Sequence, residues 1–247
     1  MSDATALEKC LGYIDVQMQS PRSLRERERA VQPAVTISRQ AGAGGIPIAE
    51  KLGEFLQREL PGPVCPWTVF HRNLVEKVLE AHRLSSRLAQ FMPEDRVSAV
   101  QDAVEELLGL HPAASVLVQQ TTETILKLVG LGYVIIVGRA GNLIAAGRKN
   151  VFHVRLVGTV ERRTRRIQEY LKLGAKAAAA YVAKADAARR RYVRRFFRQS
   201  IDDPLLYHLV INTDRMPEEE TAELIGRAVL ARFAMAKGST ASLQPAR

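Results

Sequence analysis

Between two regular-looking stretches the chain reads Ile37-Ser38-Arg39-Gln40-Ala41-Gly42-Ala43-Gly44-Gly45, with three glycines in its last four residues. Glycine lets a backbone turn tightly and aim successive N–H groups at one anion, and a following helix adds its N-terminal dipole. The chemistry open to such a loop is phosphate binding, with Ser38, Arg39, Gly42, Ala43, Gly44 and Gly45 as candidate contacts. The alternative is a plain strand-to-helix turn, which needs less glycine. The loop departs from the GxxxxGK[ST] pattern: in that register Arg39 takes the first glycine, Gly44 the second and Gly45 the lysine, while Ile46 and Pro47 stand at the metal-side hydroxyl positions. Ser38 and Arg39 can supply a hydroxyl and a positive charge from the other side of the loop, and Arg39 is the only basic residue in 36–50.

Phosphoryl transfer asks a protein for positioning and positive charge more than for covalent chemistry. Several arginines have suitable spacing. Arg162, Arg165 and Arg166 lie at i, i+3 and i+4 and share one helix face. Asp186 precedes Arg189 by three residues, where an acid can hold a guanidinium in place for a phosphate. The competing reading of both groups is a solvated basic helix face. Arg139 follows a strong strand pattern and so sits at a strand's carboxyl end. Arg72 comes soon after a shorter strand, where it can meet an acceptor's phosphate or lie at the surface. No general base is expected, because an acceptor phosphate oxygen is already ionised.

The elements that must position these residues alternate. AVTIS (34–38), CPWTVF (65–70), YVIIVG (133–138), VFHVRLV (151–157) and LVIN (209–212) read as strands, short and rich in β-branched residues. Helical patterns follow the glycine loop and cover 72–83, 94–109, 114–130, 159–173, 177–201 and 217 to about 236. Such alternation predicts an α/β fold with a doubly wound, parallel, five-stranded sheet covered on both faces. In such sheets ligands sit at the carboxyl ends of strands, which selects 38–45, 138–141 and 212–214. Residues 1–32 read as an amphipathic helix (4–18) and a charged lead-in, 33–236 as one domain, and 237–247 as a disordered tail.

Bulk properties narrow the setting. The chain has 247 residues and two cysteines, Cys10 and Cys65, without CxxC spacing, so neither a disulfide framework nor a zinc site is expected. No apolar run approaches the ~20 residues of a membrane span. A soluble, reduced, cytoplasmic setting follows as the expectation. Residues 161–198 hold 13 Lys and Arg against three acids, so this one segment carries the whole +10 net charge. Concentrated charge of this kind is an anion-binding device or a solvated face.

The motifs together resemble the cytidylate-kinase-like family. SRQAGAGGIPIAEKL resembles its SRxxGxGGxxIAxxL opening, and VIIVGRAGNLI its strand-GRG-helix segment. VFHVRLVGTVERRTRRI is similar to its strand, turn and arginine helix, KADAARRRYV to its lid, and DPLLYHLVINTDRM to its final strand. The five segments run in the family's order over roughly residues 33–230. The resemblance implies a P-loop kinase core, a helical acceptor-binding insertion and an arginine-rich lid over about 159–201. It implies transfer of the γ-phosphoryl of ATP to CMP or a related acceptor, with Mg2+. On that reading Arg39, Arg162, Asp186 and Arg189 are the catalytic candidates, and Arg72, Arg139 and Arg166 bind the acceptor. No side chain is assigned as a metal ligand. The partners are then ATP and a nucleoside monophosphate; neither a membrane nor nucleic acid is expected, and a homo-oligomer is compatible with the sequence.

The departures from the family's cytidylate kinases are the absent loop lysine, Gly138-Arg139-Ala140 where those enzymes carry GRD, and His208 where an acid often stands. They leave two alternatives beside the kinase. One is a catalytically weak nucleotide-binding regulator with a degenerate P-loop. The other is a nucleic-acid-binding protein using 161–198, where Tyr170, Tyr181, Tyr192, Phe196 and Phe197 punctuate the charges and can stack on bases.

Overall fold

The computed structural model describes residues 32–61, 66–71 and 114–239. In chain order these form β1 (Ala34–Arg39), α1 (Gly45–Glu59), β2 (Thr68–Phe70), α2 (Ala114–Leu131) and β3 (Val134–Val137). A one-turn helix, α3 (Gly141–Ile144), leads to β4 (Val151–Val157), α4 (Val160–Leu171) and α5 (Ala175–Phe197). A 3-10 turn (Pro204–Leu206), β5 (Leu209–Asn212) and α6 (Glu218–Ser239) complete the described chain. The strands lie in the order β2-β3-β1-β4-β5 and every pairing is parallel, as the alternating pattern predicts. The predicted helices at 4–18, 72–83 and 94–109 fall outside the described residues, and so does Arg72.

A sheet covered on both faces buries near-continuous apolar runs, and β3 is buried at every residue. On one face Val35, Ile37, Ile135, Val137, Val154 and Leu156 meet Ile48, Leu52 and Leu56 of α1 and Ile225, Val229 and Phe233 of α6 in one core. The opposite face of β1 and β4 is polar at two registers. Thr36 pairs with His153 and Ser38 with Arg155 across the ladder, and all four residues are buried. Thr36 Oγ1 lies 2.7 Å from His153 Nδ1 and Arg155 Nη1 donates to Ser38 Oγ at 2.8 Å, so the parallel register itself supplies these partners.

Helices α4 and α5 have conventional stops. Thr159 caps α4, its hydroxyl accepting from Arg162 N–H at 3.4 Å, and Lys172 ends it in the left-handed conformation. The alanine-rich start of α5 favours helix, and Arg198 (φ +54°) ends it, short of the predicted 201. Arg194 and Arg195 in the last turn complement the helix dipole. A second apolar cluster of Ile167, Ala178, Val182 and Ala185 joins α4 to α5 and includes Ala41 of the glycine loop, so this helix pair is packed directly onto that loop. At the other end of the chain, α6 continues to Ser239, past the predicted end near 236. No helix among the described residues is long and apolar enough to cross a membrane.

Candidate active site

The glycine loop leaves β1 at Arg39 and starts α1 at Gly45. Gly42 (φ +76°) and Gly44 (φ +74°) both occupy the left-handed region, where a side chain is strained. Gly42 is required for a second reason: a methyl group there would lie 2.3 Å from the carbonyl oxygen of Arg163. The loop backbone therefore touches the backbone of α4. Gly45 is crowded differently. A methyl group on it would fall 2.9 Å from Arg39 Cγ, so the aliphatic stem of Arg39 lies over the position where the P-loop pattern has lysine.

Arg163 and Asp186 hold the loop from both sides. Asp186 Oδ1 accepts from Ala41 N–H at 2.7 Å, and Arg163 Nη1 donates to Ala41 O at 2.9 Å. The two side chains also pair with each other, Nη1 to Oδ2, at 2.7 Å, and both are buried. Arg163 Nε donates to Gly158 O at 2.9 Å, which completes a buried, well-bonded ion pair rather than a surface one. The sequence predicts that Asp186 holds Arg189; the structure corrects the emphasis, because Arg189 Nη1 stands 3.6 Å from Asp186 Oδ1 while Arg163 takes the short contact. Arg189 is itself buried, so a solvated helix face does not describe it.

Arg163 is the residue that sequence reasoning missed. One signal was present: Ile167 marks the buried face of α4, and Arg163 lies one turn before it on that face. Arg166 is placed between loop and sheet, donating to Thr213 O (2.8 Å), Thr213 Oγ1 (3.0 Å) and, at 3.5 Å, Gly42 O. It thus braces the carboxyl end of β5 against the loop. Arg162 is exposed and is not gathered with the others. It lies near Asp214, whose carboxyl burial would raise; the hydrogen bond from Thr159 N–H and the charges of Arg162 and Arg166 prevail and hold it below its ordinary value.

Beyond the loop, Ser38 and Arg39 of β1, Ala140 and Asn142 after β3, and Arg189 and Tyr192 of α5 line a narrow cleft, wide enough for little more than a water molecule. Arg39 and Arg189 also border the adjoining opening, with Arg155 and Asp186. Behind Ser38, Arg155 donates to Asp202 at 2.8 Å, and the Tyr207 hydroxyl lies 3.3 Å from Ser38 Oγ while donating to Ile201 O at 2.8 Å. Burial holds the Tyr207 phenol above its ordinary pKa, so it stays protonated at neutral pH. The turn that delivers Arg139 is unusual: Gly138 (φ +85°), Arg139 (φ +56°) and Ala140 (φ +53°) are all left-handed in succession. Arg139 thus stands at the carboxyl end of β3, as the strand pattern predicts.

The described residues contain no cluster of three or more His, Cys, Asp or Glu able to hold a metal ion, and Ile46 stands where a hydroxyl ligand would be. The glycine loop does suit an anion, with two left-handed glycines and a helix N-terminus beside Arg39.

A glycine loop after the central strand of a parallel 2-3-1-4-5 sheet defines a P-loop kinase-type fold. The chain belongs to the cytidylate kinase-like family, which it matches over residues 34–215. No curated protein matches the sequence. Among solved structures, an uncharacterized protein from Eubacterium ventriosum ATCC 27560 superposes with a TM-score of 0.59 at 17% identity, over 80% of this chain and 98% of that one. Shikimate kinases from Acinetobacter baumannii (TM-score 0.45, 12% identity, 84% of this chain and 97% of that) and Bacteroides thetaiotaomicron (0.44, 13%, 81% and 97%) are more distant. The first likeness shows the shared fold.

Proposed function

We propose that this protein is a phosphotransferase that moves the γ-phosphoryl of ATP to a nucleoside monophosphate, CMP or a related acceptor. Its family membership and fold support a nucleotide kinase-like function. The observation that supports the finer reading is the packing of the Arg39 stem over Gly45: the side chain beside the missing lysine's position, reaching it from the opposite end of the loop, belongs to another basic residue.

In this reading the loop N–H groups and the start of α1 bind the donor phosphates, and Arg39 supplies the local positive charge. Arg189, on the cleft wall opposite, balances charge on the transferring group. Arg139 meets the acceptor's phosphate, and Arg166 and the Arg163–Asp186 pair fix the loop's shape without touching substrate. Arg162 is peripheral. Magnesium, when bound to the triphosphate, adds charge neutralisation between the donor phosphates. The acceptor's ionised oxygen attacks without a protein base. The test is a diphosphate-formation assay across all nucleoside monophosphates with ATP and magnesium.

One observation favours a second reading, the nucleotide-binding regulator. Asp186 already takes the Ala41 N–H, so one donor of the loop is given to the chain's own carboxylate. Nucleotide binding in calorimetry without diphosphate formation from any acceptor selects this reading. The nucleic-acid alternative gains little: Tyr192 packs against Phe196 and Phe197, with ring centroids 5.3 and 6.0 Å away, and does not stand as a separate stacking platform.

A further inference from the structure

The Tyr207 hydroxyl touches three walls of the cleft. The tyrosine follows the 3-10 turn, whose cap, Asp203, accepts from Leu205 N–H at 2.9 Å, and its own N–H donates to Pro204 O at 3.1 Å. The next residue enters the sheet, where His208 N–H donates to His153 O at 2.8 Å, so the backbone at Tyr207 is fixed on both sides. A phenol has one proton and two lone pairs. The proton takes the shorter contact, to Ile201 O at 2.8 Å. The oxygen then accepts from the Asn142 amide and from the Ser38 hydroxyl, the latter 3.3 Å away. Ser38, Asn142 and Ile201 all line the cleft, each on a different segment of the chain.

These bonds close into a circuit. Ser38 Oγ accepts from Arg155 Nη1 at 2.8 Å, Arg155 Nη2 donates to Asp202 at 2.8 Å, and Asp202 is the residue after Ile201. Asp202 also accepts from Arg190 Nε at 2.9 Å, which ties in α5 beside Arg189. The joined segments carry the cations of the proposed reaction: Arg39 follows Ser38, Arg139 stands three residues before Asn142, and Arg189 adjoins Arg190. Like charges around one cleft repel, so their spacing has to be held by other bonds. A phenol suits that task, because burial raises its pKa and keeps the bridging proton in place at neutral pH. Phosphoryl transfer depends on positioning, and a misplacement of about 1 Å can cost ~100-fold in rate. We propose that Tyr207 is a positioning residue for phosphoryl transfer, whose hydroxyl sets the spacing of the segments that carry Arg39, Arg139 and Arg189 without touching substrate. The inference rests on the phosphotransferase reading for the reaction, and on the hydrogen-bond circuit alone for the spacing.

The experiment uses the full chain at a temperature well below the Tm of every variant. Tyr207→Phe removes the hydroxyl and keeps the ring, whose centroid lies 6.0 Å from the Arg155 guanidinium carbon. With ATP, magnesium and the acceptor the parent prefers, kcat should fall ~10-fold or more. ATP affinity in calorimetry should stay within about threefold of the parent's, the size of a secondary effect, because Asp186 and Arg163 hold the glycine loop. Amide hydrogen exchange should quicken around both Asn142 and Ile201, the two segments that the phenol bridges. Asp202→Asn weakens the same circuit from a residue lining neither opening, so the double variant should lose less kcat than the product of the two single losses. A tyrosine serving only its own turn would lower Tm, quicken exchange at 203–208 alone and leave kcat within about twofold of the parent. That result overturns the proposal and leaves the phosphotransferase standing, and so do losses that simply multiply in the double variant. If the parent forms no diphosphate from any acceptor, the phosphotransferase reading fails and the role in transfer fails with it. Exchange then decides the spacing by itself: faster at both segments upholds the circuit, and no change at Asn142 overturns it.

Discussion

The turns that follow β1 and β3 face each other across one cleft, and they are built on opposite terms. After β1, the left-handed positions are glycines, and Ala41 between β1 and the first of them has its N–H and C=O both bonded by the Asp186–Arg163 pair. After β3, two of the three left-handed residues carry side chains. The first turn is locked by α4 and α5; the second holds backbone strain. Backbone strain collects where function outweighs stability. The difference teaches that one turn is clamped by side chains from distant helices, while the other carries its strain in its own residues.

The largest expected effect breaks the lock on the first turn. Asp186→Ala leaves Arg163 buried and uncompensated, which costs about 3–5 kcal/mol. Denaturant unfolding should show it, and the double variant Asp186→Leu with Arg163→Met should recover much of the loss. A stability change below about 1 kcal/mol for Asp186→Ala would mean that the pair does not clamp the loop. Gly42→Ala comes next. The left-handed φ alone costs about 1–2 kcal/mol, and the added methyl must push Arg163's backbone, and with it α4, off the loop. Triphosphate binding in calorimetry should fall below detection; ordinary affinity would separate the loop from the site.

Arg39 tests whether the first turn has its own cation. Arg39→Ala should slow phosphoryl transfer ~100-fold, the scale of a lost charge contact to the transition state. Arg39→Lys should restore only part, because lysine lacks the planar fork. The packing adds a sharper arm. Gly45→Lys in the parent must displace the Arg39 stem, whereas in the Arg39→Ala background that space is open, so the lysine should recover transfer only there. Equal behaviour of Gly45→Lys in both backgrounds would show that the two positions do not share a site.

Much of this arrangement was legible in the sequence, for a physical reason. Buried parallel strands are near-continuous apolar runs bounded by breakers, so VFHVRLV coincides with β4 residue for residue, and LVIN coincides with β5, an edge strand in which only Ile211 is buried. The glycine loop was legible because only glycine tolerates what it does. The arginines were not. In 161–198 they look alike by type, yet Arg163 and Arg189 are buried while Arg162 and Arg165 are exposed. The difference depends on Ala41 and Asp186, which no local window contains. Arg155, an arginine inside an apolar strand, was a visible anomaly whose answer, Ser38 in register, needed the sheet.

The smallest effect separates the site from the sheet behind it. His153 shares the polar face of β4 with Arg155, but burial, with lesser contributions from the charges of His208 and Arg232, lowers its pKa from 6.5 to about 4. Its Nδ1 faces the Thr36 hydroxyl and its ring stacks on His208 at 5.1 Å, so the folded chain favours the neutral imidazole. The sign follows from proton counting. Between pH 6.5 and about 4 the unfolded chain binds the proton and the folded one does not, so stability is full above 6.5 and declines as the pH falls through that window. Asp202 and Asp214, whose pKa values are lowered, add their loss only at more acidic pH, below the ordinary carboxylate range. Thermal unfolding of the parent should therefore show a mild drop in Tm from pH 6.5 to 4.5, ahead of the steeper acid limb. His153→Gln, neutral at every pH, should reduce that first drop, leaving the share of His208, whose pKa burial also lowers, and should leave the acid limb in place. Because His153 lies outside the cleft, the variant's acceptor KM at pH 7 should match the parent's. A changed KM would tie the sheet's polar face to the turn after β3 and blur the distinction between a clamped turn and a strained one; an unchanged Tm profile would assign the drop to another group.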